Sequence, residues 1–463
     1  MIKLSTGPIR CGIAAATLAL FTTTSLSAQT AAPTSATTQT SEDARLTQFL
    51  DAEFAAYVKT QPQLATRLGL KDGGDKWNDI SDAAADAQVA WRKASVARMK
   101  AQFDRSKLSP EGQVNYDIWA LEADRAELSN QNRIYRPPFY SRLYSAHSQM
   151  PDFLINTHTV SDVIDLKNYK ARLRGMPAVL DLAIERSKAS DKAGIRAPKF
   201  QIETIISSSQ QLTSGAPFGP GPDAALWADV KAKTAALVAG GKLPQAEADA
   251  LLAEARQAIL DLKPAYGRVI AWAQANLPTA PSGKVGAVTL PGGLDYYANE
   301  LKLVTTTDLT ADQIHQIGLK EVARIEAEQD ALARQAGFKD REAFYQERKR
   351  LYPPEQFTDA TRAEYLKTAN EFVAHTRTLL PKYFGMLPAY GIEVVREPAF
   401  SEVPGGAAHA SQPSPDGTRP ARTYVHLVGT RPDPAALYTL MCHEAVPGHN
   451  TQGDIQVRQQ GGP

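Results

Sequence analysis

Near its C-terminal end the chain reads His443-Glu444-Ala445-Val446-Pro447-Gly448-His449, two imidazoles flanking a carboxylate. These are the residue types of a zinc hydrolase. Neutral imidazoles serve as metal ligands, and a neighbouring carboxylate takes a proton from metal-bound water. In the familiar helical form, H-E-x-x-H, the two histidines lie one turn apart on one helix face. Here the second histidine falls six positions after the first, and Pro447 stands where the usual second ligand would be. On a straight helix six steps turn it about 120° off the first one's face and carry it roughly 9 Å along the axis. An unbroken helix therefore cannot chelate. Proline disrupts the turn before it and pushes Val446 out of helical angles, while glycine accepts whatever dihedrals a detour needs. The pattern predicts a helix interrupted at residues 446–448, with both imidazoles swung into one cleft. The plainer alternative is a helix that stops at Pro-Gly and carries two surface histidines; short motifs match by chance often enough to keep both readings open.

The elements that must position this stretch are legible upstream. Residues 435–442 form an apolar, helix-prone run directly before it. Residues 392–395 and 423–428 are rich in β-branched side chains and are the best strand candidates, separated by a Pro/Gly/Ser loop over 404–420. Peptidases of this kind bind extended substrate as an added strand beside the metal helix, which makes Tyr424 and His426 candidate substrate-binding residues. Cys442, next to His443, reads as a small core residue turned away from the site.

Helical periodicity dominates the rest. Ser41-Glu42-Asp43 caps a stripe of Leu46, Phe49, Leu50, Phe54 and Val58, and Ser109-Pro110-Glu111 opens another. Further helices are expected over 82–103, 160–190, 200–212, 224–238, 245–276 (kinked at Pro264) and 359–380. One more opens at the capping box of Thr310 and Gln313. Residues 133–151 form an aromatic loop, 287–290 a short β-prone run, and the Gly/Pro-rich segment 214–223 a possible subdomain seam. His315 and His375 read as ordinary helical histidines. The fold class is mainly α, a large multi-helix arrangement with one small β-sheet beside the motif helix.

Composition narrows the function classes. The 51 basic and 50 acidic residues nearly cancel, which leaves no footprint for nucleic acid. Residues 1–28 have the charged start, short apolar core and small-residue ending of a secretory signal peptide, too short for a stable membrane span. Residues 29–41 read as a flexible leader, and 42–463 as one mostly helical domain. Export across an inner membrane, most simply to a periplasm, follows. With Cys11 in the signal, Cys442 is left alone and no internal disulfide forms. No serine-hydrolase elbow, phosphate loop or dinucleotide fingerprint is present.

Taken together, several stretches resemble one bacterial family, domain of unknown function 885. They are Tyr438-Thr439-Leu440 through the motif to His449, Leu290-Pro291-Gly292-Gly293 with Tyr296-Tyr297, and Thr305 to Thr310. Residues 314–325 with His315, Gly318, Glu321 and Val322, and residues 414–420, add to them. The resemblance implies a mostly helical, exported protein related to zinc metallopeptidases whose third ligand is a glutamate. It further implies His443 and His449 as metal ligands, Glu444 as general base, zinc as cofactor and a peptide as substrate. Asn450 stands where relatives often carry another histidine. Relatives also continue past the motif into a helix bearing the third ligand, whereas Asp454 is the only acid here after His449. The expectation is therefore a zinc-dependent peptidase lacking its C-terminal part, with weak zinc binding and impaired activity. The alternative from another class is a non-catalytic helical protein that binds peptides.

Overall fold

The computed structural model describes residues 36–140, 145–399, 401–414, 417 and 419–458, with side chains from residue 42 onward. The signal-like start, residues 29–35 and the tail 459–463 lie outside this range. The chain is mainly helical, as its periodicity predicts.

Four helices form the first packed group: α1 (Ala36–Lys59), α2 (Pro62–Arg67), α3 (Asp82–Gln102) and α4 (Pro110–Gln131). Ser81 and Ser109 cap α3 and α4 by accepting from the N–H groups of Ala84 and Gly112. Leu46, Val96, Met99, Phe103 and Trp119 pack between them. α1 begins five residues before its expected Ser41 start.

The largest core comes next, from α5 (Ala146–Asp152), a π-turn at Phe153–Thr157, α6 (Val163–Lys192), α7 (Lys199–Leu212), α8 (Ala225–Ala239), α9 (Gln245–Leu260) and α10 (Leu262–Asn276). Tyr169, Leu173, Met176, Leu180, Ile202 and Tyr266 are almost wholly buried there. Leu212 and Leu226, on either side of the Gly/Pro-rich segment, join this same core. The kink expected at Pro264 is instead a break at Asp261. Pro264 falls in the first turn of α10, where a missing N–H leaves no bond unmade.

Residues 287–290 are not a strand. Ala287–Thr289 forms a 3₁₀ turn, and Gly292 takes a left-handed φ of 64°. A Cβ on Gly293 would lie 1.7 Å from the Ala287 carbonyl oxygen. The Pro-Gly-Gly sequence thus drives the chain straight into α11 (Gly293–Thr305), with no partner for β pairing. α12 (Ala311–Gln335) and α13 (Arg341–Leu351) follow, and α12 keeps the predicted capping box.

The last section positions the motif. α14 (Asp359–Leu379) leads to β1 (Ile392–Arg396), β2 (His409–Ser411), β3 (Ala421–Val425), α15 (Pro434–Glu444) and α16 (His449–Arg458). The sheet order is β1-β3-β2, with β1 parallel and β2 antiparallel to β3. α14 packs on β1 and α15, while α16 packs on β2 and β3. Val394, Val425, Leu437, Met441, Ala445 and Val446 close a third core between sheet and motif helix. The expected sheet beside the helix is present. Its strand at 421–425, however, is central and hydrogen-bonded on both sides, so it cannot accept a substrate strand. β1 and β2 are the outer strands, and the outer side of β1 is closed at Val394, whose N–H and carbonyl pair with the Asn370 side chain at 2.9 and 3.0 Å.

Candidate functional site

The site is built on the end of α15. Asp433 starts this helix by accepting from the Ala435 N–H, Pro434 fills its first turn, and Arg348 pairs with the Asp433 carboxylate. Leu437 and Met441 face the core, which fixes the rotation of the helix. The helix ends at Glu444. The N–H groups of Ala445 and Val446 both turn back to the Met441 carbonyl, at 2.9 and 3.0 Å. The Val446–Pro447 peptide is cis, and α16 starts again at His449.

Gly448 makes this return possible. A Cβ there would lie 1.8 Å from the His443 carbonyl oxygen, so no other residue fits the turn as it stands. The interruption predicted from spacing is thus found at its predicted place. The rings of His443 and His449 come to 4.8 Å between centroids, 80° apart in plane. Both residues are exposed, whereas Glu444 is 7% exposed and sets its carboxylate 3.9 Å from the His443 Nε2. A pair of open imidazoles above a sheltered carboxylate is the result.

Whether zinc fits this set can be judged by kind and by number. In kind it fits: two imidazoles side by side with a carboxylate next to them. In number it is one ligand short, because no group of three His, Cys, Asp or Glu among the described residues is arranged around a common point. Asp454 is fully buried and already engaged by the N–H groups of Ala389 and Tyr390, at 2.9 and 2.6 Å, and by Arg458 at 2.8 Å. His315 and His375 are exposed on α12 and α14. Cys442 is exposed as well, contrary to its reading as a core residue. Leu437 and Met441, at helical spacing, take the buried face and leave Cys442 outside it. Asn450 is buried and donates to the Thr423 Oγ1 at 2.8 Å, which ties α16 to β3.

Neither of the two candidate substrate residues is exposed. Tyr424 is 3% exposed, its ring stacked on His409 at 4.9 Å and 15°. His426 accepts from the Val403 N–H at 3.1 Å and abuts Gly406, anchoring the loop after β1. What the sequence did not single out is Glu397, His409 and Asp152, brought together from three elements. Glu397, just past β1, is 6% exposed; its Oε1 accepts from the Ser401 hydroxyl at 2.6 Å. Its Oε2 has no hydrogen-bond partner and lies 3.8 Å from the His409 Nδ1. Burial, aided by the charges of Asp152 and Glu402, pushes the Glu397 carboxyl up to about 7. Burial pulls the His409 imidazole below its usual range, against the charges of Asp152 and Glu444. Asp152, on α5, is itself raised by burial. No motif links residues so far apart in the chain; only the sheet register, His409 opposite Tyr424, could have revealed them.

No helix among the described residues is long and apolar enough to cross a membrane. Comparison with curated proteins gives no match. Among solved structures, a "putative lipoprotein" from Colwellia psychrerythraea superposes with a TM-score of 0.73 at 19% sequence identity. The match covers 90% of this chain and 73% of that one, which shows a shared fold. The profile of a bacterial protein family of unknown function, domain of unknown function 885, matches residues 62–463. With a match of that extent, carrying the interrupted motif helix and the sheet beside it, the chain belongs to this family.

Proposed function

We propose that this protein is an exported hydrolase of peptide bonds, with Glu444 as its general base and His443 and His449 as two of the ligands of a zinc ion. The observation that supports it most is the return of His449 beside His443 across a break in the helix, with the buried Glu444 next to them. A zinc ion held there would acidify a bound water and polarise a carbonyl. The chain's own part is to fix the two imidazoles and keep Glu444 within reach of that water. Export is supported by the signal-like residues 1–28 and by the lipoprotein description of the solved structure of similar fold. The second reading, a non-catalytic peptide-binding protein, draws its support from the missing third ligand among the described residues.

The test is a peptide-cleavage assay with zinc titration of the purified chain. Glu444→Gln is expected to lower kcat by about 10²–10⁴-fold, while zinc affinity, followed by calorimetry, stays as it was. Histidine variants at 443 or 449 are expected to lose the metal. Cleavage that survives Glu444→Gln, or an absence of cleavage with bound peptide, would remove the hydrolase reading; the latter would establish the binding one.

A further inference from the structure

Resting on the hydrolase reading, we propose that His409, backed by Glu397, is the proton donor to the leaving nitrogen of the cleaved peptide bond. β2 is an edge strand, so an extended chain can pair along its free side and bring its backbone to His409. The His409 side chain is half open, at 51% exposure, and its ring plane is fixed by stacking on Tyr424. Its Nδ1 faces the buried Oε2 of Glu397 at 3.8 Å, which turns Nε2 to the open side. A buried carboxyl oxygen without a partner costs stability, and this one is left facing an imidazole.

The charged groups around the pair are Asp152 from α5, Glu402 and Glu397 after β1, Arg422 and Tyr424 on β3, and Glu444 at the end of α15. Burial lifts the Glu397 carboxyl to about 7, so that a share of the molecules carries its proton near neutral pH, and holds the imidazole below its usual range. The transfer then balances. Water oxygen bonds to the carbonyl carbon while Glu444 takes one of its protons. As the C–N bond breaks, its electron pair stays on nitrogen, which receives the Nε2 proton of His409. At the same time Nδ1 takes the proton of Glu397, leaving a carboxylate there and a neutral imidazole. Solvent returns the proton from Glu444 to Glu397. Glu397 touches no substrate and acts through His409 as a positioning residue.

The distinguishing measurement varies the leaving group. A pool of quenched fluorescent peptides identifies a cleaved sequence, and the full chain is then assayed on the peptide amide and on the phenyl ester of the same acyl segment. Phenolate departs without a proton. His409→Gln is expected to lower kcat on the amide about 100-fold with KM held, and to leave the ester rate nearly intact. Glu397→Gln should lower the amide rate less, and should move the His409 titration followed by nitrogen-15 NMR. Equal losses on amide and ester, an unchanged amide kcat, or an unmoved His409 titration would each overturn the proposal. If Glu444→Gln abolishes cleavage while these fail, the hydrolase reading stands and the role of His409 falls. If the wild type cleaves neither substrate, both fall.

Discussion

Two sets of buried ionisable groups in this molecule have been settled in opposite ways. In the large helical core, Lys233 on α8 donates to the Leu154 and Ile155 carbonyls at 2.6 and 3.1 Å and to Asp229 at 2.8 Å. Tyr169 donates to the same carboxylate at 2.8 Å. Every ammonium proton has an acceptor. At the sheet, Glu397 has one oxygen bonded and the other bare, and its neighbour His409 stands half in solvent. Satisfied networks of this kind hold a core in one arrangement, whereas a partner left open beside a cleft is free to meet something that arrives there. The contrast separates structure from site without reference to any motif.

The contrast can be broken or sharpened by measurement. The largest effect is expected from Asp229→Ala, which leaves the Lys233 ammonium buried without its counter-ion. A loss of about 3–5 kcal/mol in urea unfolding follows; a loss below about 1 kcal/mol would show that the core network is no more committed than the sheet pair.

Next comes the pH dependence of Glu397. Its folded-state carboxyl is pushed up by burial to about 7, above the 4.5 of a free glutamate side chain. The stabilisation from its neutral form is therefore complete below about pH 4.5 and is lost as pH rises through about 7. Relative to Glu397→Gln, the wild type should lose up to about 3 kcal/mol between pH 4.5 and 8. Asp229 is also raised, but it acts in both proteins and cancels in the difference; Asp152, whose charge acts on Glu397, is exchanged for Asn in both. Parallel stability profiles for the two would contradict the bare carboxyl.

The smallest effect belongs to a control pair. Lys93 and Glu127 meet at 2.5 Å with side chains 49% and 42% exposed. Removing either should change stability by less than about 1 kcal/mol. A larger change would mean that exposure is a poor guide to commitment in this fold.

What could be read in advance follows from the range of the interactions concerned. The break at residues 446–448 was legible because Pro447 and Gly448 act on their own backbone, and the geometry of six helical steps leaves no other way to join His443 and His449. Helix starts at Ser109 and Thr310 were equally local. Tertiary partners decided the rest. Residues 287–290 had strand-forming side chains and no strand to join. Residues 423–428 looked like an edge and became a centre, because β2 folds back antiparallel onto them. The pair of Glu397 and His409 was invisible, since its meaning lies in a gap of 3.8 Å across a loop.

The position of β3 has one more consequence, for the order in which the molecule is made. β1 and β2 never hydrogen-bond to one another; each waits for the strand that follows both of them in the chain. Until the third strand arrives, β1 can lean on α14, whereas the elements that β2 packs against all follow it in the chain. The third must enter between them before any part of the sheet exists. The body over α1–α10 has cores of its own and can be finished while the sheet is still open. Insertion of residues 421–425 then aligns His409 against Tyr424 and brings α15 and α16 down on the sheet. The juxtaposition of His443, Glu444 and His449 with the sheet is thus complete only once residues 421–425 are in place.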